Sequence, residues 1–545
     1  EEVFPSTTST VAANFAGIVI SGSDTDPIGL GTTTALCDFN TINKNTIIGG
    51  YYGITLTATF AGGANGNNII TNNDVQDFYM YGMYINGSYS TLIEGNKFSR
   101  PTRTGVGDFH GIFFTAQSNT AKVSKNKFFN PFGGALTNTT GIFYGINFSS
   151  CSASAGNENN VTNNLIHNVN GNGPINALMN TSSANVWYFH NTVSLDDITS
   201  TSTQITRGFN QTGTAGGLFF YDNLISITRG GTGIKHCIYL ATAILGGSDN
   251  NNYYINAPAG SNFVGYFTAN RITINDWKTA ILAATTAAPQ DQASLSLVPV
   301  YADPSLAVAD FHPNNGAMDN KGLYVGIDDD ITNAVRSQTT PDIGAYEFVP
   351  SPCTLPINTG TTTINATTVC QNTPVILGLT IGAFGSSQTF QWQTSTSPTG
   401  PFTSIGTPMA VPDTIILSSS TLYYQCLVKC ASASATSNPV LLNVNAALPA
   451  GTYTINTSLP NTYVPGVVGG NFPSFNDAKA AMSCGVVGTG NIIFSVQPGL
   501  NGGVYTEQLK LDSIKGVNVN RQIVFKGNGN KITFNPTNSN ERAII

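Results

Sequence analysis

The chain has 545 residues, 41% of them hydrophobic and only 9% charged, where a typical soluble domain carries about 25% charged residues. Its many Val, Ile, Phe and Tyr residues exclude a disordered chain, and a net charge of −7 without a basic run argues against nucleic acid and anionic membrane surfaces. No stretch approaches the roughly 20 apolar residues of a membrane helix, so direct membrane insertion is not expected.

The chain begins at Glu1 rather than Met and breaks off at Ile545 inside an apolar stretch. Both ends are those expected of a piece of a longer protein, with any signal sequence lying upstream.

From Asn45 onward an asparagine followed by a short β-prone segment recurs. The instances are Asn45-Thr-Ile-Ile48, Asn73-Asp-Val75, Asn96-Lys-Phe98, Asn126-Lys-Phe-Phe129, Asn164-Leu-Ile166, Asn191-Thr-Val193, Asn223-Leu-Ile225 and Asn252-Tyr-Tyr254. Successive asparagines lie 28, 23, 30, 38, 27, 32 and 29 residues apart. A period in this range marks stacked repeats, in which each coil buries its apolar face only against the next. Between them runs a second strand class: Tyr52-Gly-Ile-Thr-Leu56, Tyr81-Gly-Met-Tyr-Ile85, His110-Gly-Ile-Phe-Phe114, Thr140-Gly-Ile-Phe-Tyr144 and His236-Cys-Ile-Tyr-Leu240. Each repeat thus reads as one coil of three short strands with turns rich in Gly, Asn and Ser. A helical reading fails because Gly and β-branched residues interrupt every 3.6-residue pattern. Identical amides on coils about 4.8 Å apart can hydrogen-bond along the stack. The eight asparagines are therefore expected to form an internal ladder that holds the coils in register.

After the coils, Trp277, Ala280, Ile281 and Ala284 share one face of a short helical pattern, with Asn275 as its N-cap. Val300-Tyr-Ala-Asp-Pro304, Phe311-His-Pro-Asn-Asn315, Asp328-Asp-Asp-Ile-Thr-Asn-Ala-Val-Arg336 and Pro341-Asp-Ile-Gly-Ala-Tyr-Glu-Phe348 follow. Residues from about 10 to 348 resemble the right-handed parallel β-helix, or pectin-lyase-like, family of secreted bacterial proteins. The resemblance is sharpest at Pro341–Phe348, the closing segment of many such proteins. It implies an ordered tail over the last coil, where a bare edge would invite pairing with other chains. The first domain is accordingly set at residues 1–348.

Pro350 and Pro352 mark a linker into a second domain, residues 349–447. Short strands are expected at Pro374–Leu379, Thr389–Thr394, Thr414–Leu417, Leu422–Lys429 and Pro439–Val444. The segment resembles the Ig-like modules of large bacterial surface proteins. Gln391-Trp392-Gln393 is similar to the buried tryptophan of strand C, and Tyr424-Gln-Cys426 to the Tyr-x-Cys corner of strand F. Of the eight cysteines, Cys353, Cys370, Cys426 and Cys430 cluster here as a disulfide framework, which points to an oxidising, extracellular setting. Cys484 stands apart. Cys370 precedes strand B instead of sitting within it, so the usual bridge across the sandwich is in doubt, and Cys353 and Cys430 are its alternative partners.

Residues 448–545 read as the opening of a second β-helix. Ser474-Phe-Asn-Asp477 resembles a capping box with Asp in place of Glu, Phe475, Ala478 and Met482 form an apolar stripe, and Gly485 ends the helix. Strands are expected at Asn491–Val496, Tyr505–Leu511 and Gln522–Lys526. The fold class is therefore all-β: a right-handed parallel β-helix, an Ig-like β-sandwich, then the start of a second β-helix.

The family resemblance includes polysaccharide lyases and hydrolases. A glycosidase needs two carboxylates on one face, and the resemblance implies for a lyase an acidic calcium site with a Lys or Arg base. Glu94, Lys97, Arg100, Arg103, Asp108 and His110 are the best candidates, on adjacent coils that could share one groove; Asp196 and Asp197 are a second pair. Their bland reading, turn residues and solvated charges, is the favoured one. Asp328, Asp329 and Asp330 offer oxygens to Ca2+ but lack the spacing of a dedicated loop, so an acidic turn is expected and no other cofactor. Aromatic doublets such as Tyr51-Tyr52, Phe113-Phe114 and Trp187-Tyr188 recur; one ring of each must point inward, and the other is free for sugar contact. Asp413-Thr-Ile415 and Asp512-Ser-Ile514 resemble the O-glycan acceptor pattern of Bacteroidetes, with Thr414 and Ser513 as acceptors.

These readings converge on a structural or adhesive segment of a large secreted surface protein. By resemblance it is of the Bacteroidetes kind, exported by the type IX route, with surface glycans or other copies of itself as partners. A polysaccharide lyase or hydrolase and a homopolymeric fibre subunit are the alternatives.

Overall fold

The computed structural model describes residues 13–30, 37–59, 65–242, 245–285, 289–380, 385–386, 388–409, 412, 414–499 and 502–537. These form two compact units, the first ending at Pro352 and the second beginning at Cys353.

The first unit is a parallel β-helix. Three strands per coil feed three sheets, one of ten strands and two of eight, parallel throughout except for the tenth strand of the first, Ala269–Arg271, which is antiparallel. The first sheet runs from Ala16–Ser21 through Tyr52–Thr57, Tyr81–Tyr89, Phe109–Asn119 and their successors to Asn262–Phe267. The second runs from Thr41–Asn43 to Gly247–Asp249, the third from Thr46–Ile48 to Asn252–Ile255. Parallel crossovers of this kind are right-handed in about 98% of cases, in line with the expected class. Register is strict, and like stacks on like. His110 pairs with Tyr81 and Tyr144, Val123 with Ile93 and Val161, Phe128 with Phe98 and Ile166. The inward members of these columns are fully buried, and each apolar side chain so buried contributes about 1.5–3 kcal/mol.

The corner between the second and third sheets explains the asparagines. The residue before each ladder asparagine is left-handed: Lys44, Asn72, Gly95, Lys125, Asn163, His190, Asp222 and Asn250, with φ between 52° and 68°. That conformation turns the chain, and the next side chain points into the stack. Each asparagine donates from both its main-chain N–H and its Nδ2 to the Oδ1 of the asparagine one coil on. The Nδ2–Oδ1 distances are 2.9–3.2 Å from Asn45 through Asn73, Asn96, Asn126, Asn164, Asn191 and Asn223. The eighth rung is Asn251, not Asn252. Asn252 instead brackets Leu297, accepting from its N–H and donating to its carbonyl.

Glycine in the first sheet has an equally local cause. A Cβ on Gly111 would come within 2.3 Å of Phe128 and 2.5 Å of the Gly145 carbonyl, so only glycine lets the two sheets approach. The same column continues through Gly145, which places Tyr144-Gly-Ile-Asn-Phe148, not Thr140–Tyr144, in the repeat. The expected phase was four residues early.

The helix α1, Ile274–Ala284, covers the last coil. Its N-cap is Thr273, not Asn275: Thr273 and Asp276 exchange both bonds of a capping box. Trp277 and Ile281 are its buried residues. Among the tail segments, Phe311, Ile331, Ala345 and Tyr346 cluster around Leu165 of the third sheet.

In the second unit, Thr361–Ile364, Pro374–Thr380 and Thr414–Leu417 make one antiparallel sheet. Thr368–Cys370, Val440–Asn445, Leu422–Cys430, Gln388–Ser395 and Thr403–Ser404 lie in order in the other. Trp392 is buried opposite Cys426 and donates its indole N–H to the Pro412 carbonyl at 2.6 Å. The bridges are Cys353–Cys430 and Cys370–Cys484. Two expectations fall here: Cys426 is a free, buried thiol, and Cys484 belongs to the framework. Burial raises the Cys426 thiol to about 12, and its side chain sits among core residues as a small hydrophobe.

Only two residues separate Val440–Asn445 from Leu448–Ile455, the first strand of a parallel set with Val486–Val496 and Ile523–Lys526. Val504–Thr506 and Lys531–Thr533 form a second parallel pair. The helix α2, Phe475–Ala481, is capped by Ser474, whose hydroxyl accepts from the Asp477 N–H. Phe475, Ala478 and Met482 enter the core of these strands as the stripe requires.

Candidate functional site

Of the charged residues singled out on the early coils, Arg100 lies beside Asp108, whereas Glu94, Lys97 and His110 fall on three different sheets. Glu94 ends a second-sheet strand, Lys97 begins a third-sheet strand and His110 lies on the first sheet. Glu94 accepts from the Ser124 hydroxyl at 2.6 Å and lies 3.8 Å from Lys122. Asp108 accepts from the Ile142 N–H at 2.9 Å and so fixes a loop. His110 is sandwiched between Tyr81 and Tyr144, ring centroids 4.7 and 4.5 Å away. Burial, and secondarily Arg100, push its pKa down to about 3, so the imidazole is neutral and enclosed.

The arginines are clamps. Arg100 is fully buried and donates to the carbonyls of Pro131, Tyr79, Gly107 and Asp108, with its guanidinium 4.8 Å from the Phe132 ring centroid. Arg103 donates to the Asp77 carbonyl, while the Asp77 carboxylate accepts from the N–H groups of Thr102 and Arg103. Later coils repeat the device. Arg229 donates to the carbonyls of Gly171 and Gly173, and the Lys235 ammonium to those of Gly231, Gly233 and Ala259. These cations sit where the chain passes from the third sheet to the first. They satisfy irregular loop carbonyls that would otherwise be buried without donors. Burial lowers the pKa of Arg100 to about 9 and of Arg229 to about 10.

The other acidic candidates are likewise divided. Asp196 accepts from Ser194, and Asp197 from the hydroxyl and N–H of Thr199. Burial raises Asp196 to about 6. Asp328 accepts from the Tyr324 hydroxyl, Asp329 pairs with Lys125 at 2.6 Å, and buried Asp330 accepts from Thr332, Ala334 and Glu347. Among the described residues no group of three His, Cys, Asp or Glu side chains is arranged to hold a metal ion.

The aromatic doublets alternate as strands require: Phe114, Phe128, Tyr188 and Phe220 are buried, and their neighbours Phe113, Phe129, Trp187 and Phe219 are half-buried on the outer faces. The outward rings of the first sheet stack on one another. Tyr52 meets Tyr81 at 5.3 Å, Tyr239 meets Tyr266 at 4.5 Å, and the Arg207 guanidinium lies 3.4 Å from the Tyr239 centroid. Ring faces are therefore consumed along the column. Ser513 is exposed and Thr414 half-buried; Asp413, which completes the first acceptor pattern, lies outside the described residues, as do both chain ends.

Sequence reading missed the buried clamp cations, whose charge alone does not reveal a cage of carbonyls. It also missed a second amide rung at the corner before the second sheet, where Asn40 donates to Asn68 and the Ala121 N–H to Asn159. The 28-residue spacing of Asn40 and Asn68 was the available signal.

No protein-family model, no curated protein and no solved structure matches this chain.

Proposed function

We propose that the chain is a structural and adhesive segment of a large extracellular surface protein, with β-helical rods spaced by an Ig-like module. One observation carries this reading: the amides and cations that could have served chemistry are spent on holding coils together. The asparagine rungs, Arg100, Arg229 and Lys235 all bind main chain or each other. A rod needs that rigidity, whereas a catalytic groove needs convergent groups left free. The strand order of the two sheets, antiparallel except where Thr368–Cys370 joins Val440–Asn445, and the buried Trp392 support the Ig-like assignment. Two disulfides favour an oxidising compartment. The pectin-lyase-like kinship, the Bacteroidetes origin and type IX export come from resemblance alone. The half-buried Tyr84, Tyr239 and Tyr266 on the outer face of the first sheet are suited to neutral surface glycans.

The test pairs a glycan-binding screen with an assay for reducing or unsaturated sugar release. Binding without release is expected. Release abolished by Asp108→Asn or Lys97→Ala would replace this reading with a polysaccharide-degrading enzyme.

A further inference from the structure

An open cleft of about 670 Å3 lies between the end of the first sheet and α1, at the middle of the chain. The tenth strand, Ala269–Arg271, forms one wall. It turns back at Thr268, whose φ of 59° is left-handed, and pairs antiparallel with Gly265, Tyr266 and Phe267. The other wall is α1, where Asp276, Thr279, Ala280 and Ala283 follow one another at the three- and four-residue spacing of a single helical face. The bulky helix residues, Trp277 and Ile281, are buried in the core instead. The short side chains left on the cleft side do not fill the space between the walls.

Three observations bear on what the cleft takes. The first is the main chain. Ala269–Arg271 is the outermost strand of its sheet, and among the described residues it pairs as a strand only with Gly265–Phe267. A strand with one free edge is a template for another extended segment, which favours a peptide over a sugar or a small solute. The second is the lining. Phe267, Ile272, Ala280, Ala283 and Ala284 make much of it apolar, and Ile272 is 60% exposed. An extended peptide presents a side chain to one face at every second residue, so apolar residues at that spacing suit it. The third is charge. Arg271 lines the cleft, and its Nη2 donates to the Phe267 carbonyl at 3.3 Å and the Thr268 hydroxyl at 3.4 Å. Among the described residues no carboxylate lies within ion-pair distance of it. Asp276 is already engaged: its carboxylate accepts from the Thr273 N–H at 3.0 Å, at the positive end of α1. The uncompensated charge of the cleft is therefore positive.

We propose that this cleft docks an extended peptide of a partner protein, which adds a strand to Ala269–Arg271, seats an apolar side chain against Ala280 and Ala283 and sets an acidic side chain on Arg271. This goes beyond the rod reading, which requires no protein partner at this place. Main-chain bonds supply the affinity, and the alanine-lined wall and Arg271 select the sequence.

Selection of a phage-displayed library of random short peptides on the full 545-residue chain tests it, with the Ala283→Trp chain as counter-selection. Ala283 is exposed, so the added indole fills the cleft and leaves the core alone. Peptides enriched on the wild-type chain are expected to carry an acidic residue at a fixed position, and synthetic copies should bind in fluorescence anisotropy. Arg271→Glu and Ala283→Trp should each weaken that binding at least about tenfold, with the thermal midpoint retained. A peptide whose acidic residue is exchanged for lysine should regain binding to the Arg271→Glu chain. Bound peptide should also slow hydrogen exchange of the Ala269–Ile272 amides. No enrichment over the Ala283→Trp chain, or peptides indifferent to Arg271→Glu, overturns the proposal. Displacement of the peptides by neutral oligosaccharides, with no protection of that strand, overturns it too and assigns the cleft to a glycan.

Discussion

Trp277 donates its indole N–H to Asp291 at 2.9 Å, and both side chains are buried. That bond ties the capping helix to the amide ladder. Asp291 also accepts from Ser248, Ser294, Asn251 and Tyr253. Ser294 in turn accepts from the N–H of Asn251, the last rung, at 3.0 Å. The stack therefore ends in a carboxylate that takes the place of a further coil.

Replacing that carboxylate should loosen the cap first. Asp291→Ala leaves several buried donors unpaired, each worth about 1–3 kcal/mol, so a loss of at least about 3 kcal/mol is expected. Hydrogen exchange should rise in α1 and at Asn251 before it rises at Asn126. Uniform exchange along the stack would show that the cap is not a separate cooperative element.

The ladder itself should be graded by position. Asn126→Ala removes bonds to Asn96, Asn164 and the Ile93 carbonyl, all buried, and should cost about 3 kcal/mol in urea unfolding. Asn45→Ala, at the exposed first rung, should cost less than about 1 kcal/mol. Equal costs would mean that the amides do not act as a buried ladder.

Much of this was legible in the sequence, and the misses share a cause. The period of Asn45 to Asn223 gave the coils because each coil repeats one corner. At Asn250-Asn251-Asn252 three amides fit the same pattern, and only the left-handed φ of 52° at Asn250 selects the next residue as the rung. Thr140-Gly and Tyr144-Gly are equally good matches in sequence. What decides is that Gly145 lies beneath Ile166, where a Cβ would meet its Cδ1 at 2.6 Å. The scattering of Glu94, Lys97 and His110 followed from a related blindness: a repeat period does not say which of three sheets a residue joins. Cys484 pairs with Cys370 across 114 residues, a contact made by tertiary structure and by no local signal.

That pairing can be checked chemically. Alkylation of the unfolded, unreduced chain should modify Cys37, Cys151, Cys237 and Cys426, and peptide mapping should recover Cys353–Cys430 and Cys370–Cys484 cross-links. Cys370→Ser with Cys484→Ser opens a loop of 114 residues and should cost roughly 4–5 kcal/mol by chain entropy. Cys426→Ser should leave both bridges intact. A cross-linked peptide containing Cys426 would contradict the arrangement.

The tail should respond to pH through Asp342. Its carboxyl is buried and accepts from the N–H groups of Asn320 and Phe348. Burial raises its pKa to about 7, with Glu347 and Asp319 adding to the rise and the two N–H bonds opposing it. A carboxyl with a raised folded pKa binds its proton more readily folded than unfolded. Its contribution to stability is therefore greatest well below pH 7 and is lost as pH climbs from its ordinary value toward 7. The buried histidines act in the opposite sense: burial lowers His167 and His236 to about 4, so acidification through their ordinary range weakens the fold. Comparison of wild type with Asp342→Asn cancels those common terms. The stability advantage of wild type over the variant should be larger at pH 5 than at pH 8, by about 1 kcal/mol or more. It should appear first in slower exchange of the Asn320 and Phe348 amides. An advantage that grows with rising pH would mean that Asp342 is held ionised by its two N–H donors, and that the tail is locked at neutral pH rather than loosened.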